Sequence, residues 1–126
     1  MEELDLFELD SFEDIYNYCA IYLKDYYRDR IYELYSIVRV EEDQEFCLQS
    51  LKCLIYFITN LNLSIETKSI TVSDDGLFYL YCKLNKDSYT LKFNSSGKVD
   101  YLINRNHYSS IFFELLDTLN KSVYSV

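Results

Sequence analysis

The hydrophobic period of this chain changes once, near Ser64, and that change limits the folds open to it. Before it, apolar residues recur every three or four positions. Phe12, Tyr16, Ala20, Leu23, Tyr27, Ile31, Leu34 and Val38 form one stripe; Leu48, Leu51, Leu54 or Ile55, Ile58 and Leu61 form a second. Such spacing turns one face of a helix toward a core. The first stripe predicts either one long, bent helix or two helices broken near Asp29. Ser11-Phe12-Glu13-Asp14 reads as its N-terminal cap, with acids favoured at a helix start. Glu41-Glu42-Asp43 reads as an acidic cap for the second helix, which ends near 60–62.

Beyond Ser64 the period is two. Ile70 and Val72 alternate with polar neighbours, then Phe78, Leu80, Cys82 and Leu84 share one face and Tyr79 and Tyr81 the other. Tyr89, Leu91 and Phe93 follow, and after them Val99, Tyr101 and Ile103. The runs are separated by Asp74-Asp75-Gly76, Asn85-Lys86-Asp87 and Ser95-Ser96-Gly97, three turn signals at short intervals. They predict a four-stranded antiparallel meander. Ser109 or Ser110 then caps a closing helix carrying Ile111, Phe112, Leu115, Leu116 and Leu119, with His107 in the preceding loop or at the cap. The expectation is an α+β fold: two N-terminal helices, a four-stranded β-meander and a C-terminal helix in a single domain spanning 1–126. Residues 1–10 form an acidic arm, frayed or docked, and the tail from Ser122 is loose. One apolar sheet face needs a covering layer, which the second and last helices supply; a chain of 126 residues can bury such a core without staples.

Charge is distributed unevenly. Residues 1–45 hold 14 acids against Lys24, Arg28, Arg30 and Arg39, a net of −10; residues 46–126 hold 7 acids against 8 bases, a net of +1. No clustered Lys or Arg is available to neutralise phosphates, so direct nucleic-acid binding and docking to anionic membranes are disfavoured. Complementary fields favour a basic protein partner instead. No apolar run approaches the roughly 18 residues of a membrane-spanning helix, and the N-terminus lacks the basic start of a secretory signal.

The chemistry-bearing residues are sparse. Cys19, Cys47, Cys53 and Cys82 form no C-x-x-C pair and sit among apolar neighbours, which fits reduced thiols packed as small hydrophobes and a cytoplasmic setting. With His107 the single histidine, a His-rich zinc site is excluded, and a Cys-only site lacks paired spacing. A Cys–His107 nucleophile pair is the only enzymatic constellation to weigh, and nothing singles out one thiol. Asp74-Asp75 suits a turn; with Asp87 it would make a poor cation site, because no loop has calcium-ligand spacing. Phosphate-binding and nucleophile-elbow signatures are absent. No cofactor is implied, and the expectation is a protein that is not an enzyme.

Fourteen tyrosines stand out, seven of them between positions 16 and 35. On a continuous helix with Tyr16 and Leu34 at the core centre, Tyr18 and Tyr32 fall on the solvent side beside Asp14, Asp25 and Asp29. Tyr is favoured at recognition surfaces because it buries a large area at low rotamer cost. The candidate partner-binding residues are therefore Glu8, Asp10, Glu13, Asp14, Tyr18, Asp25, Asp29 and Tyr32.

Ile70-Thr71-Val72-Ser73-Asp74-Asp75-Gly76-Leu77, with Leu91-Lys92-Phe93 and Gly97-Lys98-Val99-Asp100-Tyr101, resembles a strand-and-turn segment of small bacterial accessory proteins. Some of those accompany toxin-like proteins, which implies an antitoxin-type role; the Pro before the first strand and the Trp in the second that often mark the pattern are missing here. Small size and acidity are also similar to phage-encoded inhibitors of the anti-CRISPR kind. That resemblance implies carboxylates standing in for phosphates on a nucleic-acid-binding groove. The expected function is thus inhibition of a basic, nucleic-acid-handling protein. The alternative is a homodimeric or larger structural module in which the Tyr surface pairs with itself.

Overall fold

A computed structural model describes residues 5–41 and 46–122. Leu6–Glu8 is a single 3₁₀ turn. Helices α1 (Phe12–Tyr22) and α2 (Asp25–Ser36) follow, then a π-helical turn at Ile37–Glu41 and helix α3 (Leu48–Asn60). Strands β1 (Ile65–Val72), β2 (Phe78–Leu84), β3 (Asp87–Phe93), β4 (Lys98–Ile103) and β5 (Asn106–Ile111) come next, and α4 (Phe112–Ser122) closes the chain. The α+β class is as expected, but three α-helices precede the sheet rather than two, and the sheet has five strands rather than four.

The sheet is an antiparallel meander in the order β1-β2-β3-β4-β5. Its register, with Phe78 opposite Phe93, Leu80 opposite Leu91 and Phe93 opposite Val99, gathers the large apolar side chains on one inner face. The three expected turns are present. Gly76 (φ 80°) and Gly97 (φ 83°) take left-handed conformations that cost glycine nothing, and Asn85 (φ 59°) does the same in the β2–β3 turn. The fifth strand follows a fourth turn, where both Asn104 (φ 49°) and Arg105 (φ 79°) are left-handed. Two successive residues at positive φ match the twist of a hairpin. Arg carries no turn signature, however, and β5 (Asn-His-Tyr-Ser-Ser-Ile) has no apolar alternation to betray it. Ser109 and Ser110 therefore lie in a strand and do not cap α4, and His107 is a strand residue.

Helices α3 and α4 cover the inner face. Leu51, Leu54, Ile55 and Phe57 of α3 and Phe112, Leu115 and Leu116 of α4 are buried with Phe78, Leu80, Leu91 and Phe93. The rings of Phe57 and Phe112 each lie within about 6 Å of Phe93 (5.9 and 6.0 Å). Ser50 is fully buried, its hydroxyl bonded to both Phe93 O and Phe78 N, so it staples α3 to two strands without leaving a polar atom stranded. Cys47 occupies the N-cap of α3, and its N–H donates to Gly76 O (3.0 Å). The Glu42-Asp43 part of the anticipated acidic cap lies outside the described residues, as do residues 1–4 of the acidic arm and 123–126 of the tail.

The break in the first helical stripe is at Leu23-Lys24, not near Asp29, which lies inside α2. Both residues are extended (ψ 155° and 152°) and reverse the chain, so that Phe12 stacks on Tyr35 (3.8 Å) and Tyr16 meets Tyr32 (5.4 Å). Ser11 caps α1 through its hydroxyl (3.2 Å from Asp14 N), as expected.

Candidate interaction surfaces

The break resets the helical phase, and this moves one predicted site residue. In α1 the buried positions are Ile15, Tyr18 and Cys19; in α2 they are Tyr27, Ile31 and Leu34. The second set, extrapolated backwards through an unbroken helix, would bury Tyr16 and Ala20 and expose Tyr18. Instead Tyr18 is 9% exposed, packed on Tyr22 at 4.4 Å, and is not a surface anchor. Tyr16, half-buried, takes its place beside Tyr32, which is 53% exposed. The disagreement between the 15/18/19 and 27/31/34 phases is the sequence signal for this placement.

Glu8, Asp10, Glu13, Asp14, Asp25 and Asp29 are all exposed. They fall into two groups. Glu8 to Asp14 belong to the approach and first turn of α1, in a stretch (5–23) whose sequence contains no base. Two carboxylates at the α1 N-terminus are well placed against the helix dipole. Asp25 and Asp29 instead flank Arg28, whose guanidinium lies 3.4 and 3.2 Å from them. The hydrogen bond to Asp29, with the charge of Asp25 next, holds the Arg28 pKa above its ordinary value. The Tyr16–Tyr32 contact bridges the groups: Glu13 is one turn before Tyr16, and Asp29 one turn before Tyr32.

Three pins tie this front to the body. Tyr27 Oη and Thr67 Oγ1 are hydrogen-bonded (2.7 Å), Arg30 Nε donates to Ile70 O (3.1 Å) while its Nη1 holds Glu33, and the buried Lys52 Nζ donates to Phe7 O (3.4 Å). Leu6 is buried and Phe7 sits between Tyr56 and Phe113, so residues 5–10 are docked. Between front and body, Phe12, Tyr35, Arg39, Phe46 and Leu48 line a depression of about 210 Å³.

The outer face of the sheet is the second candidate. Tyr79 and Tyr81 stack (6.4 Å, 14° between planes), and Lys92 Nζ lies 5.7 Å from the Tyr79 ring centre. Asp100 accepts from Asn94 Nδ2 (3.0 Å) and from Ser109; these bonds, with the charges of His107 and Lys92 beyond, hold its carboxyl below the usual range. A depression of about 250 Å³ lies among these side chains.

The enzymatic constellation is not assembled by the fold. Burial pushes the thiols of Cys19 and Cys82 up to about 12 and that of Cys53 to about 11, which keeps them protonated and poor nucleophiles. Cys82 faces the inner side of the sheet and His107 the outer, while Cys47 lies by the β1–β2 turn, at the far edge from β5. Asp74-Asp75 and Asp87 sit at opposite ends of β2, about 20 Å apart at strand rise. Among the described residues no group of three or more His, Cys, Asp or Glu is arranged to hold a metal ion, and no helix is long and apolar enough to cross a membrane.

Fold and surface together define a small α+β protein with an anionic helical front on a neutral sheet. Compared with protein families, curated proteins and solved structures, the chain matches none.

Proposed function

We propose that this protein is a non-enzymatic binding module whose anionic front occupies the basic surface of a nucleic-acid-handling protein and so inhibits it. The observation that carries the reading is the exposure of six carboxylates in and around one helical hairpin, four of them in a stretch without a single base. A carboxylate is an acceptor-only pair of oxygens that an Arg fork engages bidentately, as it would a phosphate. Tyr32, supported by Tyr16, adds a rigid aromatic contact in the midst of that charge. Asp25 and Asp29, already holding Arg28, are preorganised and contribute less net charge than Glu8, Asp10, Glu13 and Asp14. Protonated, buried thiols at Cys19, Cys53 and Cys82 support the non-enzymatic part of the reading.

The direct test is a titration of the ¹⁵N-labelled protein with an arginine-rich peptide, followed by amide shifts at two ionic strengths. The shifts are expected at 5–36, with affinity falling steeply as salt rises. Shifts confined to the sheet, or an affinity indifferent to salt, would overturn the proposal.

A further inference from the structure

We propose that β5 pairs with β5 of a second copy, antiparallel, to make a continuous ten-stranded sheet across a two-fold axis. This is independent of the anionic front. The two edges of the sheet are finished differently. At β1 the helix α2 supplies Arg30 to the carbonyl of Ile70 and Tyr27 to Thr67. At β5, among the described residues, no strand follows in the sheet order, and five of its six residues are exposed. Edge strands are ordinarily guarded by Lys, Pro or inward charges; Asn106-His107-Tyr108-Ser109-Ser110-Ile111 has none of them.

The register follows from the hairpin. A two-residue loop at Asn104-Arg105 makes Ile103 and Asn106 a hydrogen-bonded pair, and alternation then turns Asn106, Tyr108 and Ser110 toward β4. The N–H groups of His107, Ser109 and Ile111 and the C=O groups of His107 and Ser109 therefore point outward, while the Ile111 C=O opens α4. Residues directly opposite in a sheet must share a face, so in a symmetric pairing the two position numbers sum to an even value. The sum 218 alone uses all three outward positions, placing Ser109 opposite its own copy and His107 opposite Ile111.

That register is also complementary elsewhere. It sets Arg105 of one copy beside the first turn of α4 in the other, where Glu114 is the acidic residue, twice by symmetry. It brings Tyr108 of the second copy, 44% exposed in the monomer, opposite Ser110. Ser110 Oγ is buried without a hydrogen-bond partner among the described residues, at a groove of about 140 Å³ that it shares with Tyr101, Glu114, Leu115 and Thr118. The net charge of −9 opposes this contact only weakly, because the acidic half of the sequence does not contribute to β5 and salt screens the remainder.

Sedimentation equilibrium of the full chain across a concentration series tests it, with thermal unfolding to check each variant's fold. A reversible dimer is expected, since the contact is short. Ser109→Pro removes an outward N–H that no described residue uses, together with the hydroxyl bonded to Asp100, for which Ser109→Ala is the control. Pro is tolerated at an edge and should weaken the dimer about tenfold or more, Ala hardly at all. Ile111→Lys should also weaken it, and adding His107→Glu should recover about tenfold, because only the second copy brings these positions together. A chain monomeric up to about 1 mM, leaving the edge for a strand of another protein, would overturn the proposal. So would a dimer indifferent both to Ser109→Pro and to the charge pair.

Discussion

The front of the molecule and its sheet are built on opposite principles. The sheet and the two helices over it bury Phe57, Phe78, Phe93 and Phe112 completely or nearly so, and the charges of that half almost cancel. The front (5–36) buries a narrower stripe, is pinned by three hydrogen bonds, and holds its carboxylates in solvent. The front contributes Ile15, Cys19, Ile31 and Leu34 to the shared apolar core, but it alone also holds a concentration of carboxylates in solvent. Carboxylates gathered on one hairpin repel one another, and the apolar core that the hairpin shares with the sheet and its helices can tolerate that repulsion.

The comparison breaks most visibly if the core of the body is opened. Phe93→Ala removes the ring on which both α3 and α4 rest and should cost about 3–5 kcal/mol in denaturant unfolding. Six-carboxylate amidation of the front should leave the same midpoint nearly unchanged or raise it.

Alkali acts on both regions through the thiols. Cys19 in the front and Cys82 in the sheet keep their protons to about pH 12, whereas an unfolded chain loses them near the ordinary value of 9.0. A raised folded pKa means that stability is fully present below pH 9 and falls as the pH climbs from there toward 12, by about 1 kcal/mol per pH unit for each thiol. Cys82→Ala should flatten the high-pH limb of a stability profile, and a thiol reagent should modify Cys19, Cys53 and Cys82 only on unfolding.

Two smaller changes separate the regions. Ser11→Ala removes the α1 cap and should cost about 1 kcal/mol, read as loss of helix signal from the front. Arg105→Gly relieves a left-handed non-glycine in the body and should stabilise by up to about 1 kcal/mol in thermal unfolding.

How much of this was legible in the sequence differs in the same way between the two halves. The change of period at Ser64 and the Gly and Asn turns announced four of the five strands, because period two and positive φ leave marks that side chains must obey. The fifth strand left none: Asn104-Arg105 does the work of Asn-Gly without the glycine, and an edge strand needs no apolar face. In the front, α1 and α2 are parted at Leu23-Lys24 without Pro or Gly, so a wheel drawn through both helices misplaced Tyr18 and hid Tyr16. The carboxylates were legible because exposed acids need no phase; their pairing with Arg28 was not, since it depends on where α2 begins.

The smallest expected effect on stability is the most informative about display. Arg28→Ala frees Asp25 and Asp29 of an exposed ion pair, should leave the unfolding midpoint nearly unchanged, and should strengthen binding of an arginine-rich peptide by calorimetry.

The central claim is met most directly by capture from the native host lysate with two baits, the wild-type chain and one carrying Glu8→Gln, Asp10→Asn, Glu13→Gln, Asp14→Asn, Asp25→Asn and Asp29→Asn. The account predicts that the wild type retains a basic nucleic-acid-handling protein, that added nucleic acid displaces it, and that the amidated chain, equally folded, retains none. Equal retention by both baits, undisturbed by nucleic acid, would contradict it.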